Sequence, residues 1–196
     1  NLNSNDPAIS IGGDLAIADG AVWTKGGGIV TFDGATQLLS EANTIPNDLG
    51  DALINSYISM TVATNATVTS FEISSNSKSI VDSSATLTIT GALAITGELE
   101  MADSSVVDVG GDVTVAAAGT LDMDGTSRLK MEGDLSFSGT LEASDDSRID
   151  LDGNTQQTIS GSAMPTFNRL FFSSGATVFN LTATVNDTLD AGGENF

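Results

Sequence analysis

The sequence predicts an all-β fold, a three-sided parallel β-helix with rungs of about 20–22 residues. Three observations carry this prediction. The stretches GALAITGELEMADSSVVDVG from Gly91, GDVTVAAAGTLDMDGTSRLKME from Gly111 and GDLSFSGTLEASDDSRIDLD from Gly133 superpose apolar residue on apolar residue. Each stretch holds three short runs in which apolar and polar residues alternate, the period of a strand with one buried face. Glycine and aspartate return at matching places between the runs, where a chain must turn. A β-sandwich also gives short strands, but it does not restore the same residue types every 20 to 22 positions. The Thr, Val and Gly content excludes a helical protein.

The elements follow in chain order. GDLAIADGAVWTKGGGIVTFDGATQ from Gly13 opens a larger unit that is echoed by GDLSFSGTLEASDDSRIDLDGNTQ from Gly133, the two sharing GDL and DGxTQ. INSYISMTVATNATV from Ile54 similarly resembles FNRLFFSSGATV from Phe167, with Asn55 and Asn168 in equivalent places. The first unit carries additional residues near 38–60, read as an excursion loop or as a short helix capped by Asp48 and running through Leu53 and Tyr57, which Gly50 weakens.

From about Thr86 to Glu132 come the simple rungs, with inward pairs such as Leu93 and Ile95, Leu99 and Met101, and Val107 and Val109. The following rungs offer Val113/Val115, Leu121/Met123 and Leu129/Met131, then Leu135/Phe137, Leu141/Ala143 and Ile149/Leu151. Gly97, Gly119 and Gly139 mark one corner, and Asp103, Gly125 and Asp145 another, as residues that tolerate positive φ or cap a turn. One β-helix domain over 1–196 is expected, as a processed protein or a segment of a longer chain.

Composition narrows the function. The chain is 40% hydrophobic but only 5% aromatic, with 26 acidic and 6 basic residues, a net charge of −20 and no His. No basic patch is available to neutralise phosphates, so nucleic acid is not an expected partner, nor is an anionic membrane surface. There is no Cys, hence no disulfide and no thiolate metal site. No run of 18 apolar residues occurs, so membrane insertion is not expected. Sequons stand at Asn65, Asn180 and Asn186.

Asp152, Gly153, Gln156, Ile159 and Gly161, followed by Phe167 and Leu170, form a phrase of Asp-Gly, Gln, Ile and Gly, then a spacer and FxxL. The segment Asp152 to Val178 therefore resembles one that recurs in large secreted bacterial surface proteins, the filamentous haemagglutinins and autotransporter passengers. The first copy keeps Asp33, Gly34 and Gln37 but has Leu39 and Glu41 at the last two places. The resemblance implies a right-handed parallel β-helix, a bacterial extracellular or cell-surface location, and a structural or adhesive role. Its implied partners are other copies of the chain, adjoining segments of a longer surface protein, or cell-envelope glycans.

Catalysis fits the residues less well. A polysaccharide-active enzyme or glycan-binding module on a pectate-lyase-like β-helix is the main alternative, and a phage tail fibre the second. Glycoside hydrolysis needs two carboxylates at a set separation in a groove. Uronate lyases need a base and a cationic clamp. The only cations are Lys25, Lys78, Arg128, Lys130, Arg148 and Arg169, and the only amphipathic aromatics are Trp23 and Tyr57. Without His, a Ser-His-Asp triad is impossible. The outward series Ala94, Thr114, Ser136 lacks the regular Thr array of an ice-binding face.

Two outward ladders remain. On the second face Glu100, Asp122 and Glu142 are expected to stack about 4.8 Å apart, where like charges repel unless screened. Together with the corner residues Asp124 and Asp145, and with Asp103 beside them, they form the candidate metal site, a weak Ca²⁺ ladder of carboxylates. The corners Asp122-Met123-Asp124-Gly125 and Asp150-Leu151-Asp152-Gly153 match neither an EF-hand nor a calcium β-roll. On the third face Asp108, Lys130 and Asp150 alternate in sign and predict cross-rung ion pairs. No other cofactor is expected.

Overall fold

A computed structural model describes residues 7–55, 59–144, 146–172 and 177–190. Twenty-three short strands follow one another round three faces. Coil one holds β1 (Ile9–Ile11) and β2 (Leu15–Ile17), and coil two β3 (Val30–Phe32) and β4 (Thr36–Glu41). Coil three holds β5 (Asp51–Ile54), β6 (Ser59–Val62) and β7 (Ala66–Val68); coil four β8 (Ser70–Ile73), β9 (Lys78–Val81) and β10 (Thr86–Ile89). Coil five holds β11 (Leu93–Ile95), β12 (Glu98–Met101) and β13 (Val106–Val109); coil six β14 (Val113–Val115), β15 (Thr120–Met123) and β16 (Arg128–Met131). Coil seven holds β17 (Leu135–Phe137), β18 (Thr140–Ala143) and β19 (Arg148–Leu151). Coil eight holds β20 (Gln157–Ser160) and β21 (Thr166–Phe172), and coil nine β22 (Thr177–Asn180) and β23 (Thr184–Asp190). Every strand pair is parallel, and the result is a β-solenoid of about 8 turns.

The three sheets differ in extent. The first face is a 9-stranded sheet that runs through every coil, from β1 to β22. The second, of 7 strands, ends at β18, and the third, of 7 strands, begins at β7. Coils one and two therefore give the third face no strand, only the parallel bridge of Asp48 to Thr67 in β7, and coils eight and nine give the second face none. Residues 42–50 cross the first of these gaps as an irregular segment, and no helix occurs among the described residues. Asp48 caps locally, its Oδ1 accepting from Gly50 N at 2.9 Å. Leu53 lies in β5, and Tyr57 falls outside the described residues.

The expected inward pairs of the central coils point into one continuous core, with Leu99, Met101, Val107, Val109 and Leu129 fully buried. Each such side chain contributes about 1.5–3 kcal/mol by leaving water. Leu141 and Ala143 are the exception and are only half-buried, because β18 is the last strand of its sheet. Asn55 and Asn168 prove unlike: the first is exposed at the end of β5, the second is buried within β21.

The first corner works differently from the expectation, whereas at the second Gly125 takes a positive φ and Asp103 caps, as expected. Gly97, Gly119 and Gly139 are required by crowding rather than by positive φ. A Cβ on Gly97 would lie 2.2 Å from Ser77 O, and one on Gly139 2.2 Å from Gly119 O. Positive φ falls on Asn76 (62°) at the first corner and on Ser84 (66°), Ser104 (65°) and Gly125 (51°) at the next. Asp103 caps the following coil, its Oδ1 accepting from Thr126 N at 2.9 Å. The same device recurs where Asp112 accepts from Asp134 N (2.9 Å) and Asp134 from Thr158 N (2.8 Å). Much of the acidity is thus spent on stitching coil to coil.

The DGxTQ phrase aligns Gln37 with Gln156, but Gln156 is exposed and the buried glutamine of the second copy is the next residue, Gln157. Gln157 Nε2 donates to Met131 O at 3.0 Å and Gly133 O at 2.7 Å, and its Oε1 accepts from Gly153 N at 3.0 Å. Gln37 repeats the pattern with Ile11 O (2.5 Å), Gly13 O (2.8 Å) and Gly34 N (2.9 Å). Both side chains are buried. The first copy sits on the second face and the other on the first, so the two units are the same local device rotated by one side of the triangle.

Candidate functional site

The two outward ladders form in the expected register. Glu100 pairs across to Asp122 and Asp122 to Glu142, while Asp108 faces Lys130 and Lys130 faces Asp150. Period-2 alternation sends these residues outward while their neighbours fill the core.

On the second face the carboxylates that converge are Glu98, Glu100 and Asp122, which can bring oxygens within 4.8 Å of one another. Glu98 was not among the expected ligands. Lys78 already lies against this group, donating to Glu98 at 2.7 Å and pairing with Glu100. Burial would lower the Lys78 pKa, but its hydrogen bonds to Glu100 and Glu98 outweigh this and raise it. Its position on β9, one coil before the aligned repeats, hid it from the repeat comparison; register with Glu98 reveals it. Asp122 makes no ion pair with a basic side chain among the described residues. Partial burial first, then the charges of Asp124, Glu142, Glu100 and Glu98, push its carboxyl above the ordinary range. Glu142 is exposed, Asp124 accepts a hydrogen bond from Ser144 Oγ at 3.3 Å, and Asp145 lies outside the described residues.

On the third face the charges are mutually satisfied. Lys130 bridges Asp108 at 3.1 Å and Asp152 at 3.2 Å, and these bonds raise its pKa against the lowering effect of burial. Asp150 points outward yet is buried beneath Arg128 and Arg148; Arg148 Nε lies 2.7 Å from Asp150 Oδ1. The Arg148 guanidinium stacks 4.4 Å above the Phe171 ring, which closes over the pair from the next coil. Lys25 pairs with Asp48, and Arg169 with Asp146 and Asp187, each at 2.7 Å for the arginine. All 6 basic side chains of the chain are therefore engaged by carboxylates. What the surface offers chemically is an acidic second face with a lysine at one end, beside a neutralised third face.

No protein-family model, curated protein or solved structure matches the chain. No helix among the described residues is long and apolar enough to cross a membrane.

Proposed function

We propose that this chain is a non-enzymatic structural or adhesive segment of an extracellular bacterial surface protein, of the filamentous-haemagglutinin and autotransporter-passenger kind. It works by geometry, as a rod whose contacts are made laterally or end to end. The observation that carries the reading is the stack itself: about 8 parallel turns share one continuous apolar core, so a coil added in the same register would extend the same sheets. Phe179 and Leu189 in the last described coil expose 39% and 46% of their surface, an apolar patch that such a contact would cover. The engagement of every basic side chain supports the same reading, since none is left over to clamp an anionic polymer.

Sedimentation velocity over a range of concentrations tests it. The chain is expected to form elongated oligomers whose proportion rises with concentration, and Phe179→Lys, which places a charge on the terminal layer, is expected to suppress them. A strictly monomeric chain at every concentration contradicts the assembly reading.

A further inference from the structure

The gap in the second face leaves a strand edge on the flank of the molecule, away from the two ends. Coil seven crosses from β17 to β19 through β18, whereas coil eight passes from β20 to β21 through residues 161–165 alone, and coil nine from β22 to β23 through 181–183. The shortcut leaves β18 paired on one side only, with β15. In a parallel ladder, successive residues bond to opposite neighbours. Thr140 N bonds back to Gly119 O and Ser144 N to Met123 O. The N–H and C=O groups of Leu141 and Ala143 consequently point to the vacant side, where no strand pairs with them among the described residues. The inward side chains tell the same story. Leu121 and Met123 on β15 are buried, while Leu141 and Ala143, their counterparts on β18, remain half-exposed. Met164, on the shortcut, exposes 77% of its surface.

The chemistry of the outward face selects what fits there. A strand added to β18 continues the ladder Glu100, Asp122, Glu142 by one place. At the opposite end of that series, β9 supplies Lys78, which pairs with Glu98 and Glu100; among the described residues no basic side chain pairs with Glu142. We infer that the free edge of β18 is a strand-addition site for an extended polypeptide with a basic residue between two apolar ones. Its basic side chain meets Glu142, its apolar pair covers Leu141 and Ala143, and its backbone completes the ladder. A second copy offering the same edge would set Glu142 against an acidic strand, which cross-strand repulsion disfavours. The inference stands apart from end-to-end assembly, because β18 lies two coils inside the terminal strand.

Two measurements on the whole chain test it. Amide hydrogen exchange in the free protein is expected to be much faster at Leu141 and Ala143 than at Leu121 and Met123. Equal protection at the two strands would mean that the edge is already closed and would overturn the proposal. Titration with synthetic peptides in which two valines flank a lysine, among threonines, is expected to show binding and to slow exchange at Leu141 and Ala143. The same peptide with glutamate for lysine is expected to bind about tenfold more weakly. Glu142→Lys is expected to reverse that preference. Failure of the lysine peptide to bind, or binding indifferent to the charge at either position, would overturn the proposal, and the exchange comparison needs no variant.

Discussion

Gln157 shows how much one polar side chain can hold in a solenoid. Its amide satisfies two carbonyls of the preceding coil and an N–H of its own, at a corner where the chain leaves one sheet for another. A buried amide or carbonyl left without a partner is costly, so Gln157→Leu is expected to lower stability by about 3 kcal/mol in urea unfolding, despite conserving volume. A loss comparable to that of a surface substitution would show that water readily replaces the side chain. The repeated phrase was visible in the sequence, but it matched Gln37 to the exposed Gln156, one residue short of the buried Gln157. Its mechanism was not visible, because the glutamine's partners lie 24 and 26 residues away. The same holds for Asp103, which resembles a local turn residue but serves the next coil through Thr126. That bond holds its carboxyl below the ordinary range. The stability it adds is present above the unfolded-state pKa and is lost as pH falls through the lower, folded-state value.

At the scale of strands and ladders, register governs the outcome. The alternation of inward and outward residues in β12, β15 and β18 gave both the core pairs and the acidic ladder, because parallel pairing without slippage simply stacks equivalent positions. Two things were not legible. Lys78 belongs to a coil whose apolar pattern is interrupted by the buried Ser79, so its strand did not align with the repeats. The loss of the second face after β18 depends on the length of the chain's shortcut through 161–165, which periodicity does not encode. The ladder itself has a measurable consequence. Asp122 carries a raised pKa, so its ionisation opposes folding. The handicap is absent below the ordinary aspartate range and complete above the raised folded-state value. Asp122→Asn is expected to stabilise the protein at neutral pH by up to about 1 kcal/mol. The gain is expected to vanish near about pH 3, where the aspartate is protonated in both states. An equal gain at both pH values would assign the effect to packing instead of charge.

For the molecule as a whole, length comes from stacking coils and breadth from the three faces, so adding coils lengthens the rod without thickening it. The sheets end in different coils, and this stagger leaves strand edges both at the ends and on one flank of the described residues. The acidic surface keeps such edges from pairing indiscriminately, since most approaches bring carboxylates together. End-to-end continuation through the first and third faces is the approach that also covers Phe179 and Leu189. Small-angle X-ray scattering over a concentration series tests this account most directly. The prediction is a cross-sectional radius that stays constant while the maximum dimension grows in steps of about 40 Å, the rise of eight to nine stacked parallel strands. A cross-section that grows with concentration, or dimensions that never change, would contradict it.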